Sequence, residues 1–219
     1  MFQIREHGKR DKEIRLRIEL ISLKKQIFTR RNNNVGNDGE IGFSWRIKTS
    51  MEEKKDSICI KLAETDEELC GRGYVHCTSW QEAYRGIVCD RYLDTMTVAA
   101  TTARARQYPE NTLIAKDKEK VVGFAVYGPP RDEDLINAGE VIAIYVLSEY
   151  YNRKIGYRLM NEAFSRLREY HTIFVWVLEK NERAIRFYHK YGFEFDGCKK
   201  QWNLGTPVSI VRMIKHLER

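Results

Sequence analysis

The chain has 219 residues, 42% apolar and 32% charged, with a net charge of +7; that length makes one domain with an extension, or two small ones, around one sizeable core. No stretch approaches the roughly 20 apolar residues that span a bilayer, and charges stand where a signal peptide needs its apolar centre, so no membrane role is expected and the expected location is cytoplasmic. The charge is uneven, at +6 over residues 1–50, −6 over 51–150 and +7 over 151–219, so 51–219 together carry only +1, which argues against nucleic acid as a partner and suits an anionic ligand beside a cationic one.

Residues 9–31, KRDKEIRLRIELISLKKQIFTRR, have apolar positions 14, 16, 18 and 20 that alternate like a strand, while 16, 20, 23 and 27 fit one helix face. A basic amphipathic helix is the preferred of the two. The following RRNNNVGNDGEIG has no core-forming pattern and reads as a linker. Residues 1–50 are therefore expected to be a basic extension outside the core: an over-extended start of translation, a disordered tail or a docking arm.

From Ile58 the pattern predicts strand 58–63, helices 66–85 and 90–107, strands 112–117 and 120–127, a loop, and strand 140–147. Helix 154–170, strand 173–178, helix 181–191 and closing strands near 193–201 and 207–214 follow. Ile155, Leu159, Met160, Ala163, Phe164 and Leu167 form one stripe, as a helix packed on a sheet requires. Strand, helix, strand across 140–178 implies a right-handed crossover and a parallel pair, and the flanking hairpins imply antiparallel neighbours. Five cysteines, at 59, 70, 77, 89 and 198, include no C-x-x-C pair, so reduced thiols are expected and no metal site.

The most informative stretch is 141–193. VIAIYVL, a buried-strand pattern, runs into the basic turn YYNRKIGYRL, where a helix opens. Its first N–H groups lack helical partners and the dipole favours negative charge, so a phosphate-bearing ligand suits this turn. The turn Tyr151-Asn152-Arg153-Lys154-Ile155-Gly156 resembles motif A of the GNAT superfamily of N-acetyltransferases, (Gln or Arg)-x-x-Gly-x-(Gly or Ala), with Tyr151 and Lys154 replacing two markers. Asn181-x-x-Ala184-x-x-Phe187-Tyr188-x-x-x-Gly192-Phe193 matches the family's second motif at every marker position. SWQEAYRGIVCDRYLD (79–94) and YGPPRDED (127–134) resemble its first helical region and its loop between the third and fourth strands.

The resemblance implies an α/β (α+β) domain at 57–215, a mixed, mostly antiparallel sheet of six to seven strands flanked by about four helices. It implies acetyl-CoA as the acyl donor and a small-molecule or peptide amine as the acceptor, with direct attack in a ternary complex. A homodimer is compatible with it. The alternative is a regulatory module that binds coenzyme or nucleic acid without turnover.

The implied coenzyme site comprises Tyr151, Asn152, Arg153, Lys154, Ile155, Gly156 and Tyr157 on the pyrophosphate, and backbone of Ile144, Tyr145 and Val146 on the pantetheine, with Asn181 and Tyr188. Charge from Arg153, Lys154 or Arg158 could add to it. Gly156 has a second, lesser reading as a helix-packing glycine, and Asn181 one as a helix cap. Glu140, a lone acid at the strand mouth, is either a solvated strand end or, by resemblance, a general base helped by partial desolvation. Tyr188 is either a core aromatic or the general acid for the departing thiolate, since a phenol's ordinary pKa, about 10, lies near a thiol's. Trp80, Tyr84, Tyr127 and Arg131, with Arg85 and Tyr92, would lie on the acceptor side. No histidine has a partner at ligand or triad spacing, and no nucleophile elbow is present.

Overall fold

Thr65 and Glu68 open the first helix by satisfying each other's backbone: the Thr65 hydroxyl accepts from Glu68 N at 3.2 Å, and the Glu68 carboxylate accepts from Thr65 N at 3.3 Å. The computed structural model describes residues 57–217. In chain order these form β1 (Ile58–Leu62), α1 (Asp66–Tyr84), α2 (Asp90–Asp94), α3 (Val98–Gln107), β2 (Thr112–Asp117), β3 (Lys120–Gly128) and β4 (Ala138–Val146). Then come α4 (Ile155–Arg166), β5 (Thr172–Leu178), α5 (Glu182–Lys190), β6 (Glu194–Asn203) and β7 (Pro207–His216). The expected extension at 1–50 lies outside the described residues.

The strands make one mixed sheet in the order β1-β2-β3-β4-β5-β7-β6. Every neighbour is antiparallel except β4 and β5, which the α4 crossover makes parallel. Alternation sends the two faces of each strand into different layers. On β2, Leu113 and Ala115 join the cluster under α4 and α5, whereas Ile114 packs with Val75 of α1 and Phe124 of β3. A third cluster gathers Tyr84, Val88, Leu93, Leu178 and Ile210 between α1, α2 and the far strands. The α4 stripe behaves as its spacing requires, with Ile155, Leu159, Met160 and Ala163 buried and Leu167 buried just past the helix end. Burying an aliphatic side chain of this size contributes about 1.5–3 kcal/mol.

α1 and α3 approach closely because residue 73 has no side chain: a Cβ there would lie 2.6 Å from the Thr102 Cα. Arg72, beside it, is buried and donates to the Tyr108 carbonyl at 2.7 Å and the Thr112 hydroxyl at 3.0 Å, tying α1 to the chain that enters β2.

The single helix expected over 90–107 is in fact two. Thr97 leaves helical dihedrals (φ −105, ψ 155) and its hydroxyl accepts from Ala100 N at 3.1 Å, starting a new helix where the periodicity alone continues the old one. The helix expected over 154–170 ends at Arg166, and β4 starts two residues earlier than expected, at Ala138. All five cysteines are free thiols. Among the described residues no helix is long and apolar enough to cross a membrane.

Candidate active site

The site originates in a defect of the sheet. Val126 of β3 pairs with Ala143, whereas Tyr127 pairs with Val141, so Ile142 is an extra residue on β4. On the other side, β4 pairs with β5 only from Ala138 to Glu140, opposite Thr172 to Phe174, although the two strands run on to Val146 and Leu178. Beyond Glu140 they part. Ile144, Tyr145 and Val146 therefore lie along a split in the sheet, where an extended ligand bearing amides finds strand edges with which to bond.

The turn at the far end of β4 points a helix start at the same region. Asn152 (φ 62) and Lys154 (φ 57) are left-handed, and Lys154 is the last residue before α4. The position at which motif A has its first glycine is thus one that favours glycine on backbone grounds, and Lys154 takes up that conformation nonetheless. The N–H groups of Ile155, Gly156 and Tyr157 open the helix and precede its first internal acceptors. A Cβ on Gly156 would meet only the Phe187 ring, at 3.5 Å, an ordinary contact. Of the nearby cations, Arg158 donates to the Ile58 carbonyl at 2.8 Å, and Arg153 lies over Tyr150 and pairs with Asp117 at 3.4 Å. Lys154 is exposed.

A cleft of about 330 Å³ adjoins the split, lined in part by Glu82, Ser148, Tyr151, Asn181 and Arg183. Glu82 shapes one wall by accepting from Ser148 N at 3.1 Å and from its hydroxyl at 2.7 Å. The Arg183 guanidinium stacks on the Tyr151 ring, 3.2 Å from its centre. Asn181 caps α5 through a 3.1 Å bond from Ala184 N. Tyr188, nearly two helical turns further on, is 6% exposed and packs edge-on against Phe187 and Phe193. Burial, with Tyr84 nearby, pushes its phenol well above the ordinary range.

α1 presents His76, Trp80 and Tyr84 at successive turns. The Tyr84 and Tyr145 hydroxyls lie 3.0 Å apart. Trp80 packs edge-on against Tyr84, and its buried Nε1 has no hydrogen-bond partner although it approaches the Tyr145 hydroxyl. His76 stacks on Tyr145 at 5.6 Å; burial and the nearby Arg72 and Arg104 lower its imidazole to about 4, so it is neutral at pH 7. Its value is invisible to spacing rules for ligands or triads, but the i, i+4, i+8 series His76, Trp80, Tyr84 marks the aromatic face of α1.

Glu140 is not a solvated strand end. It is 1% exposed, and Arg131 grips it with Nε at 2.9 Å, a terminal nitrogen at 2.5 Å and its own backbone N–H at 3.2 Å. Tyr127 is also elsewhere than expected: it belongs to the cluster under α4, beside Glu162 and Arg166, and does not join Trp80 and Tyr84. Two residues of this face escaped the sequence reading. Trp176 donates to Asp132 at 2.8 Å. Arg212, 4% exposed, is held by Asp132, Asp134 and Asp196 at 3.2, 2.7 and 2.6 Å, which pins the loop between β3 and β4 to β7 and β6. A lone arginine inside the apolar run VSIVRMI was the signal available for it.

Residues 74–193 match the acetyltransferase (GNAT) family. The chain belongs to that family. It is 32% identical over 146 residues to an uncharacterized N-acetyltransferase, YuaI, of Bacillus subtilis, covering 61% of this chain and 84% of that one. It is 34% identical over 83 residues to the spermine/spermidine N(1)-acetyltransferase of the same organism, covering 35% of this chain and 55% of that one. Its fold is similar to that of the PaiA N-acetyltransferase of Thermoplasma acidophilum, solved with coenzyme A, at a TM-score of 0.55 and 22% identity over 74% of this chain and 99% of that one.

Proposed function

We propose that this GNAT enzyme transfers an acetyl group from acetyl-CoA to a primary amine by direct attack within a ternary complex. The observation that carries the proposal is the split between β4 and β5, with a free helix start at its far end and Tyr188 buried beside it. The backbone of Ile144 to Val146 takes the pantetheine amides, Asn181 adds a side-chain contact, and residues 151–157 take the pyrophosphate through N–H groups and the Lys154 charge. One N–H of the split strand polarises the thioester carbonyl. Tyr188 gives its proton to the departing sulfur, although burial makes its phenol a weaker acid than a free one.

Trp80, Tyr84 and Arg131 border the acceptor. Glu140 acts as general base on one condition, that the acceptor draws Arg131 away, because three donors already occupy the carboxylate. The acceptor is a cationic amine, a class to which the polyamines named in the spermine/spermidine relative belong. The reading carries with it a cytoplasmic location, where acetyl-CoA and reduced thiols coexist.

The test is calorimetry with acetyl-CoA, followed by thiol release with a panel of spermidine, lysine-containing peptides and free amino acids. Saturable coenzyme binding and amine-dependent release are expected. Binding with no release for any amine favours a coenzyme-sensing module, and absence of binding overturns the proposal altogether.

A further inference from the structure

We infer, resting on the acetyl-CoA reading above, that Arg183 is a ligand of the coenzyme's pyrophosphate, supplied from α5 and held ready for it on the ring of Tyr151. A helix start offers roughly half a unit of positive charge, less than a pyrophosphate brings, so the turn at 151–157 calls for a cation as well. Two of its own are committed elsewhere. Arg158 donates to the Ile58 carbonyl at 2.8 Å, and Arg153 lies over Tyr150 and pairs with Asp117.

Arg183 differs from these. Its Cζ lies 3.2 Å from the centre of the Tyr151 ring, a separation that fits only a guanidinium lying flat. Among the described residues it has no hydrogen bond and no carboxylate partner. The acid beside it, Glu182, pairs with Arg186 at 3.0 Å, and the acid across the cleft, Glu82, accepts from the Ser148 N–H and hydroxyl. The N–H donors of a guanidinium lie in its plane, so a face laid on a ring leaves the whole rim open to an anion. Arg183 and Tyr151 line the same cleft, and Tyr151 is the first residue of the turn whose N–H groups face the phosphates.

The seat is itself fixed from both sides. Tyr151 N donates to the Ser148 carbonyl at 3.1 Å, Ser148 is held by Glu82 of α1, and Asn181 caps the start of α5. A guanidinium ordered before its ligand arrives loses less rotamer freedom on binding than one that must be recruited from solvent. Tyr151 stands where motif A has Gln or Arg. Here the polar group comes from another element, and the residue at the marker position carries it.

The experiment measures acetyl-CoA affinity by calorimetry at low and high salt for wild type, Arg183→Ala, Tyr151→Ala and the double variant. It is repeated with 3′-dephospho-acetyl-CoA, which keeps the pyrophosphate and lacks the other phosphate. Arg183→Ala is expected to lose about tenfold, with a shallower salt dependence than wild type, and to lose as much with the dephospho donor. Tyr151→Ala should lose part of the same affinity, and the double variant no more than Arg183→Ala, because the ring acts through the guanidinium. A merely structural arginine would leave the salt dependence unchanged. Wild-type affinity or wild-type salt dependence in Arg183→Ala overturns the assignment, as does a loss that disappears with the dephospho donor, which would place the guanidinium on the 3′-phosphate. Fully additive losses in the double variant would refute the seat on Tyr151. Failure of the coenzyme reading is distinguishable, since it shows as absence of binding in the wild type itself.

Discussion

The two sides of the split are built from different materials. On the side proposed for the coenzyme, β4, the turn at 151–156 and α4 offer backbone: parted strand edges, two left-handed residues and a helix start. On the side proposed for the acceptor, the offering is side chains: Arg212 with its three aspartates, Arg131 on Glu140, and the aromatic face of α1. Backbone geometry tolerates changes of residue type, so motif A survives here with Tyr151 and Lys154 in place of its usual markers. Side-chain networks do not tolerate them, and each residue depends on partners far away in the chain.

The largest effect should come from breaking the side-chain half. Arg212→Ala removes a buried guanidinium and leaves the part-buried Asp196 without its cation, while Asp132 keeps Lys200 at 2.5 Å, and should cost about 3 kcal/mol in urea unfolding. A loss under 1 kcal/mol would show that the loop between β3 and β4 is held by something else. Next in size is Tyr188→Phe, with kcat down about 10²-fold and acetyl-CoA affinity little changed; steady-state kinetics beside calorimetry separates the two. On the backbone half, Gly156→Asp places a negative charge among the free N–H groups and should weaken acetyl-CoA about tenfold, near 1.4 kcal/mol. Gly156→Ala should bind as wild type, because its Cβ meets only the Phe187 ring. The smallest effect belongs to Lys154→Gly. It relieves a left-handed lysine but frees the unfolded chain, so stability should move by less than about 1 kcal/mol, and a larger drop in coenzyme affinity would assign Lys154 a charge role beyond its geometry.

The same division explains what could be read in advance. The α4 stripe and the second motif are local patterns, and Ile155, Leu159, Met160 and Ala163 are buried as their spacing requires. The break between α2 and α3 was hidden because Thr97 is an acceptable helix residue until its hydroxyl caps the next turn. Tyr127 was misassigned because the layer that a strand residue faces depends on its partners' register, which a single chain does not display. Glu140 was recognisable as an acid in an apolar strand, but not the grip of Arg131, nine residues earlier across a loop with no periodic pattern. Trp176 and Arg212 meet Asp132 from 44 and 80 residues away, and such meetings exist only after folding.

The extra residue at Ile142 sets a parity. Glu140 and Tyr145 are five positions apart, so a regular strand would send them to opposite layers. Here both face α1 and α2: Glu140 beside Phe174, and Tyr145 against Tyr84. One residue thus decides whether the candidate base Glu140 and the Tyr145 phenol share a chamber. Deleting Ile142 would leave Glu140 and Tyr145 both in the protein, yet put one of the pair on the far side of the sheet from the other.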